Sequence, residues 1–219
     1  MANILCLETS TTNCSVAISV DGMVKAIREE NNKKFSHAEK LHVFIADVLE
    51  ESGLKMSDLD AVAVSKGPGS YTGLRIGVSA AKGLCFALDI PLISSPSLEV
   101  LAQQGQRDGY YTIPLLDARR MEVYSAVFNS KLEQIRETKA EILDTSSFLK
   151  YLDKGETIFL GDGAAKLKDL YAHKNAIFFE ERFPSAASMA LLAEAKFKVS
   201  DTEDVAYFEP FYLKEFMMG

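Results

Sequence analysis

The order of secondary-structure signals in this chain runs through twice, and that repeat constrains the fold more than any single motif. Residues 3–8 form a short apolar run suited to a buried strand, and Cys14 to Val20 resumes the pattern with alternation at Val16, Ile18 and Val20. Asp21-Gly22 follows, a strong hairpin signal because both central positions of such a turn need positive φ. Met23 to Glu30 returns as a third strand. Leu41, Phe44, Ile45, Val48 and Leu49 then mark one face of a helix that Ser36, with Glu39 three residues on, is placed to cap. A strand over 59–64, a helix over 72–88, a short strand over 91–94 and a helix over 97–104 complete the first half. From residue 110 the order restarts, with strands over 110–116, 121–128 and 132–142, a helix over 146–152 and a strand over 157–160. A glycine turn, Gly161-Asp162-Gly163, a short helix, a strand near 177–179 and a helix over 185–199 finish it. Positions 3 and 111 in the leading strands, and 21 and 129 in the turns, are each 108 residues apart.

A period this long means a duplicated domain rather than a solenoid. Hairpins followed by alternating helix and strand predict mixed sheets, antiparallel first and parallel later, with helices on their faces. The expected fold is α/β, a ribonuclease-H-like unit of the actin-like ATPase (ASKHA) type occurring twice. The halves should divide as 1–105 and 106–219.

Composition excludes several classes. Hydrophobic residues make up 47% and charged residues 25%, which rules out wholesale disorder. No apolar run reaches the roughly 18 residues that a bilayer demands. Residues 1–8 carry no basic segment ahead of an apolar stretch, and Cys6, Cys14 and Cys85 have no metal-type spacing, so reduced thiols and a cytoplasmic location are expected. Net charge is -7, whereas a chain that grips nucleic acid alone usually has a basic footprint. If RNA is involved, a partner should do the holding.

The densest local signal is the run from Ser65 through Lys-Gly-Pro-Gly-Ser-Tyr-Thr-Gly-Leu-Arg-Ile to Gly77. Free N–H groups at a helix start make an anion seat, but the run lacks the Gly-Lys-Ser/Thr ending of a phosphate loop. A tight turn that sets the helix angle and registers a partner is the favoured reading. In the helix itself, Gly73, Gly77, Ala80, Ala81 and Gly83 recur at helical spacing, where each glycine costs about 1 kcal/mol relative to alanine. Small residues let another backbone approach closely, from a partner or from the chain's own sheet. Glu8-Thr-Ser-Thr-Thr-Asn13 and Asp117-Ala-Arg-Arg120 occupy matching turns, and Gly161 to Ala164 could be an adenosine loop. A stand-alone actin-like ATPase or kinase is therefore the alternative. His37 and His42 lie five apart, about 140° around a helix, unlike an i, i+4 metal pair. No serine or cysteine has a histidine-supported setting, so a protease is disfavoured. The aromatic stretch from Tyr207 should strap back onto a domain, with Phe216 to Met218 loose or used in contact.

Glu8-Thr-Ser-Thr-Thr-Asn-Cys-Ser-Val-Ala, Gly67-Pro-Gly-Ser-Tyr-Thr-Gly-Leu-Arg-Ile-Gly, Asp117-Ala-Arg-Arg-Met-Glu-Val-Tyr and Glu209-Pro-Phe-Tyr-Leu together resemble the bacterial TsaB (YeaZ) family across essentially the whole chain. The resemblance implies a non-catalytic subunit for N6-threonylcarbamoyladenosine formation in tRNA. Its partners would be TsaD, the transferase, and TsaE, an ATPase, with a homodimer in isolation and tRNA met only through the complex. It implies no metal and no tightly bound cofactor, with ATP or ADP at the TsaD junction near Glu8, Thr9 and Asp117. The interface would fall on Gly73, Gly77, Ala80 and Ala81, flanked by Arg75 and Lys82, with His37, Leu41 and Ile45 alongside. The family's catalytic type carries a helical His-x-x-x-His pair, and the spacing of His37 and His42 departs from it.

Overall fold

The computed structural model describes residues 1–31, 37–170 and 172–214. Strands β1 (Asn3–Glu8), β2 (Cys14–Val20) and β3 (Met23–Glu30) form antiparallel hairpins. Beyond β1, β4 (Ala61–Gly67) and β5 (Leu92–Pro96) add in parallel, giving the order β3-β2-β1-β4-β5. The second half repeats the plan with β6 (Tyr111–Asp117), β7 (Glu122–Phe128), β8 (Gln134–Ile142), β9 (Thr157–Leu160) and β10 (Ala176–Phe179), ordered β8-β7-β6-β9-β10. Two mixed five-stranded sheets flanked by helices are thus the duplicated ribonuclease-H-like, actin-like fold expected from the element order.

Helix lengths differ between the halves. The first contains α1 (His37–Ser52), α2 (Tyr71–Leu88) and α3 (Ser97–Ala102); α1 and α2 run 16 and 18 residues. Their counterparts α4 (Leu149–Leu152) and α5 (Ala164–Lys168) have 4 and 5 residues. The last helix is α6 (Ala186–Lys198). The proposed cap at Ser36 lies outside the described residues.

The first sheet is covered on both faces, which is why β1 and β4 are apolar on both. One face packs Leu5, Leu7, Val16, Ile18, Val62 and Val64 under Leu41, Ile45 and Val48 of α1 and Val78, Ala81 and Cys85 of α2. The other face is lined by small residues, Ala17, Ala61 and Ala63 beside Ile4 and Cys6, and it takes α6 through Ala186, Met189 and Ala193. That docking corrects the expected boundary at 105/106. One compact unit comprises Met1–Val100 with Pro184–Tyr212; the other comprises Leu101–Phe183 with Leu213 and Lys214. Ala186, Met189 and Ala193 of α6 and the alanines of β2 and β4 are all fully buried in one cluster, so the last helix returns to the first sheet.

The second unit has its own core, with Ile113, Leu115, Val123, Val127 and Phe159 packed against Phe148, Tyr151, Leu152 and Leu167. In the first unit the C-terminal segment straps back as expected. The Glu203 N–H donates to the Leu92 carbonyl at 2.8 Å, Phe211 N–H to the Lys66 carbonyl at 2.7 Å, and Val205 and Phe208 pack on the core. Phe216 to Met218 lie outside the described residues.

Candidate functional site

Glu8 ends β1 with its side chain on the α6 face, two residues beyond Cys6. Strand register sets Ser15 of β2 opposite it and Ser65 of β4 beside it, then Ser95 beside Ser65 and Glu29 opposite Ser15. A polar row, Glu29-Ser15-Glu8-Ser65-Ser95, therefore crosses all five strands next to the apolar layer of Cys6, Ala63 and Ile93. Within it the Glu8 carboxylate is fully buried; Oε1 accepts the Ser10 N–H at 2.7 Å and Oε2 accepts the Ser65 hydroxyl. Burial pushes the Glu8 carboxyl above its ordinary range, against the opposing pull of hydrogen bonds from Ser10 and Ser65. The rest of the turn is buried too, from Thr9 to Thr11 and at Asn13.

What buries this turn is the glycine face of α2. Thr9 Oγ1 donates to the Gly73 carbonyl at 2.7 Å, and the Ser70 N–H donates to the Ser10 carbonyl at 2.6 Å. A Cβ at Gly69 would lie 2.2 Å from the Ser10 carbonyl oxygen, at Gly73 2.1 Å from the Thr9 carbonyl oxygen, and at Gly77 2.2 Å from Thr9 Oγ1. Those three positions accept no side chain. Ser70 caps the helix by accepting the Gly73 N–H at 3.3 Å. The anion seat suggested by the sequence thus meets a carbonyl of the chain itself.

This geometry corrects part of the expected interface. Gly73, Gly77 and Ala81 are inside the first unit, as are His37, Leu41 and Ile45; buried residues offer a partner no surface. The close approach that the small residues permit is made by the chain's own β1–β2 turn. His37 Nε2 lies 2.7 Å from the Thr11 carbonyl oxygen, and burial lowers the imidazole pKa, while His42 is exposed on the opposite side of α1. Ala80 is half-buried against the core. Lys82 Nζ donates to the carbonyls of Phe208 at 2.8 Å and Ala206 at 3.2 Å, and Arg75 stacks over Tyr71 at 4.2 Å with its Nε donating to Tyr212 Oη at 3.3 Å. Both cations of the expected interface hold the C-terminal strap. The outward stripe of α2 instead carries Arg75, Ser79, Gly83 and Phe86. Phe86 is 85% exposed, and a Cβ at Gly83 would meet nothing within 4 Å. No internal contact requires that glycine.

Asp117 ends β6 as Glu8 ends β1, but its surroundings are open. Its Oδ1 accepts the Arg119 N–H at 2.5 Å and pairs with Lys166 Nζ at 2.7 Å, while its own N–H donates to Asp162 Oδ1 at 2.8 Å. Burial pushes the Asp162 carboxyl up, opposed by that N–H donor. Lys166 also donates to the Glu122 carbonyl at 3.0 Å. Arg119 and Arg120 sit at the tip with φ of 73° and 51°. Left-handed backbone costs a side-chain-bearing residue about 1–2 kcal/mol, and hairpins usually assign such positions to asparagine and glycine. The suspected adenosine loop is explained by packing: Gly161 has φ of 120° and a Cβ there would lie 2.2 Å from the Leu115 carbonyl oxygen, while the Gly163 N–H donates to that oxygen at 2.9 Å.

Sequence reasoning placed Ser65 and Gly69 in the glycine-rich run and Asp162 in the glycine turn without giving them these partners, and it missed Lys166 altogether. Ser65 and Glu8 are 57 residues apart and Lys166 and Asp117 are 49 apart, and only strand register brings each pair together. The three cysteines are buried; burial pushes the Cys6 thiol up to about 12 and those of Cys14 and Cys85 to about 11. None is poised as a nucleophile at neutral pH. Among the described residues no helix is long and apolar enough to cross a membrane.

A family model described as TsaD: tRNA N6-adenosine threonylcarbamoyltransferase matches residues 31–216. The tRNA threonylcarbamoyladenosine biosynthesis protein TsaB of Escherichia coli (strain K12) is 32% identical over 220 residues, spanning 96% of this chain and 94% of its own. YeaZ from Pseudomonas aeruginosa has a TM-score of 0.82 at 26% identity, covering 97% of this chain and all of its own, 100%. The activator of 2-hydroxyisocaproyl-CoA dehydratase from Clostridium difficile, solved with bound ADPNP, shares the fold alone, with a TM-score of 0.52 at 10% identity over 91% of this chain and 97% of its own. With near-complete sequence coverage and a common two-sheet fold, the chain belongs to the TsaB (YeaZ) family of tRNA threonylcarbamoyladenosine biosynthesis proteins.

Proposed function

We propose that the chain is a non-catalytic scaffold subunit that binds TsaD and, with TsaE, activates it. The reaction served is threonylcarbamoyl transfer from threonylcarbamoyl-AMP to the N6 amine of the adenosine beside the anticodon. The chain works in the cytoplasm, pairs with a second copy when TsaD is absent and meets tRNA within the assembly. It holds no cofactor tightly; ATP or ADP, when present, sits at the TsaD junction.

One observation carries this reading: the β1–β2 turn, where an actin-like enzyme would hold nucleotide phosphate, is filled by the glycine face of α2. Glu8 is buried and bonded to Ser10 and Ser65, and Asp117 is paired with Lys166. Neither acid is free to meet magnesium as it stands. Docking is supported by the outward stripe of α2, where Gly83 weakens the helix by about 1 kcal/mol with no internal compensation and Phe86 exposes an aromatic ring beside it. An approaching partner helix would use both features. On the outward side of α1, Val43 is also exposed, at 52%.

The test is titration of TsaD with the wild-type chain and with Phe86→Asp, followed by transfer assays with TsaE and tRNA. The variant should melt within about 0.5 kcal/mol of wild type, bind TsaD about 100-fold more weakly and support correspondingly less transfer. Full transfer by TsaD and TsaE without this chain would overturn the scaffold role. Undiminished binding by Phe86→Asp would overturn the docking face.

A further inference from the structure

The tip of the second unit carries a feature that its own packing leaves unexplained. Arg119 and Arg120 are consecutive, exposed and both left-handed in backbone, and among the described residues neither guanidinium has a hydrogen bond or ion pair. The turn is nevertheless fixed. Asp117 accepts the Arg119 N–H at 2.5 Å, Ala118 N–H donates to the Glu122 carbonyl at 3.1 Å, and Glu122 N–H returns to the Arg119 carbonyl at 3.1 Å. Among the described residues, the two acids of this hairpin are engaged elsewhere, Asp117 by Lys166 and Glu122 by Lys214. In a chain of net charge -7, two unpaired guanidinium groups on a rigid, strained tip run against the general trend. Backbone strain held in place by surrounding bonds is characteristic of functional positions.

We propose that Arg119 and Arg120 contact the phosphodiester backbone of the tRNA in the assembled complex, which rests on the scaffold reading above. Guanidinium forks match phosphate oxygens bidentately. A convex turn tip presents them to a polymer running past, whereas a small ligand needs concave walls. Such contacts position an RNA without reading its sequence, and two of them are too few to hold it alone, in keeping with the acidic balance of the chain.

The test uses Arg119→Asn/Arg120→Gly, which places in both positions residues that left-handed backbone favours, and Arg119→Lys/Arg120→Lys, which keeps the charge without the forks. Each is assembled with TsaD and TsaE, and tRNA affinity is measured against salt concentration. The Asn-Gly variant should fold with a melting temperature raised by roughly 2–4 °C and join TsaD as wild type does. Its complex should bind tRNA about tenfold more weakly near 0.1 M salt, with a log–log salt slope shallower by about 1–2. The lysine variant should keep most of the slope and lose part of the affinity. Unchanged affinity and slope in the Asn-Gly variant overturn the proposal. Loss of TsaD association by that variant also overturns it, since the arginines would then serve carboxylates of the protein partner. A wild-type complex active in transfer whose tRNA affinity ignores the variant refutes the RNA contact alone; a wild-type chain that neither joins TsaD nor supports transfer refutes the scaffold reading with it.

Discussion

The turn after β1 and the turn after β6 hold the same place in a repeated topology and use their polar groups in opposite ways. The first is buried, its acid bonded to a serine and a backbone N–H and its carbonyls covered by a helix of 18 residues. The second is open, its acid paired with a lysine from a helix of 5 residues, and it ends in two arginines that have no hydrogen bond or ion pair among the described residues. The difference lies in the helix that follows the neighbouring strand. A long helix with glycine at 73 and 77, entered through Gly69, can lie flush on the turn and seal it; a one-turn helix supplies only a cation.

The sharpest way to break this contrast is to put a side chain into the seal. Gly77→Leu drives Cβ and everything beyond it into Thr9 and should cost about 3 kcal/mol, seen as a melting temperature lower by roughly 6–12 °C. A variant that melts like wild type would mean the helix does not seal the turn. Gly73→Ala adds one carbon against the Thr9 carbonyl and should cost about 2 kcal/mol in a denaturant titration. Gly83→Ala, on the outward stripe of the same helix, should instead stabilise the chain by up to about 1 kcal/mol, because its Cβ enters open space. Opposite signs along one helix would separate the sealing face from the outward one. In the second turn, Asp117→Asn removes a half-exposed ion pair and should cost only about 0.5 kcal/mol.

The subtlest test is the pH profile of Glu8→Gln. Burial raises the folded carboxyl above its unfolded value, so its contribution is full below the ordinary carboxylate range and is lost as pH rises through the raised value. Wild-type stability should therefore decline relative to Glu8→Gln from about pH 4.5 upward. Parallel melting curves across that window would place Glu8 in a solvated setting.

Much of this fold is legible in the sequence. Strands β1, β2 and β3 begin and end where alternation and the Asp21-Gly22 turn put them, and that turn has the positive φ its residues imply, 51° and 77°. The repeat also implied mixed sheets, antiparallel first and parallel later, because hairpins and crossovers leave few topologies open. The return of α6 to the first sheet was not legible, since an alanine-rich helix has a weakly marked face and the small residues that receive it on β2 and β4 are ordinary strand residues. The stripe of small residues on α2 implies close approach of another backbone, but whose backbone approaches is a tertiary fact. Likewise Glu8 and Asp117 were legible as turn acids, whereas Ser65, Asp162 and Lys166 become their partners only through strand register.

Calorimetric titration of Mg-ATP into the isolated chain addresses the sealed turn most directly. A phosphate position filled by α2 predicts no binding heat at micromolar nucleotide and no hydrolysis. Micromolar affinity accompanied by turnover would contradict it and make the chain an actin-like enzyme in its own right.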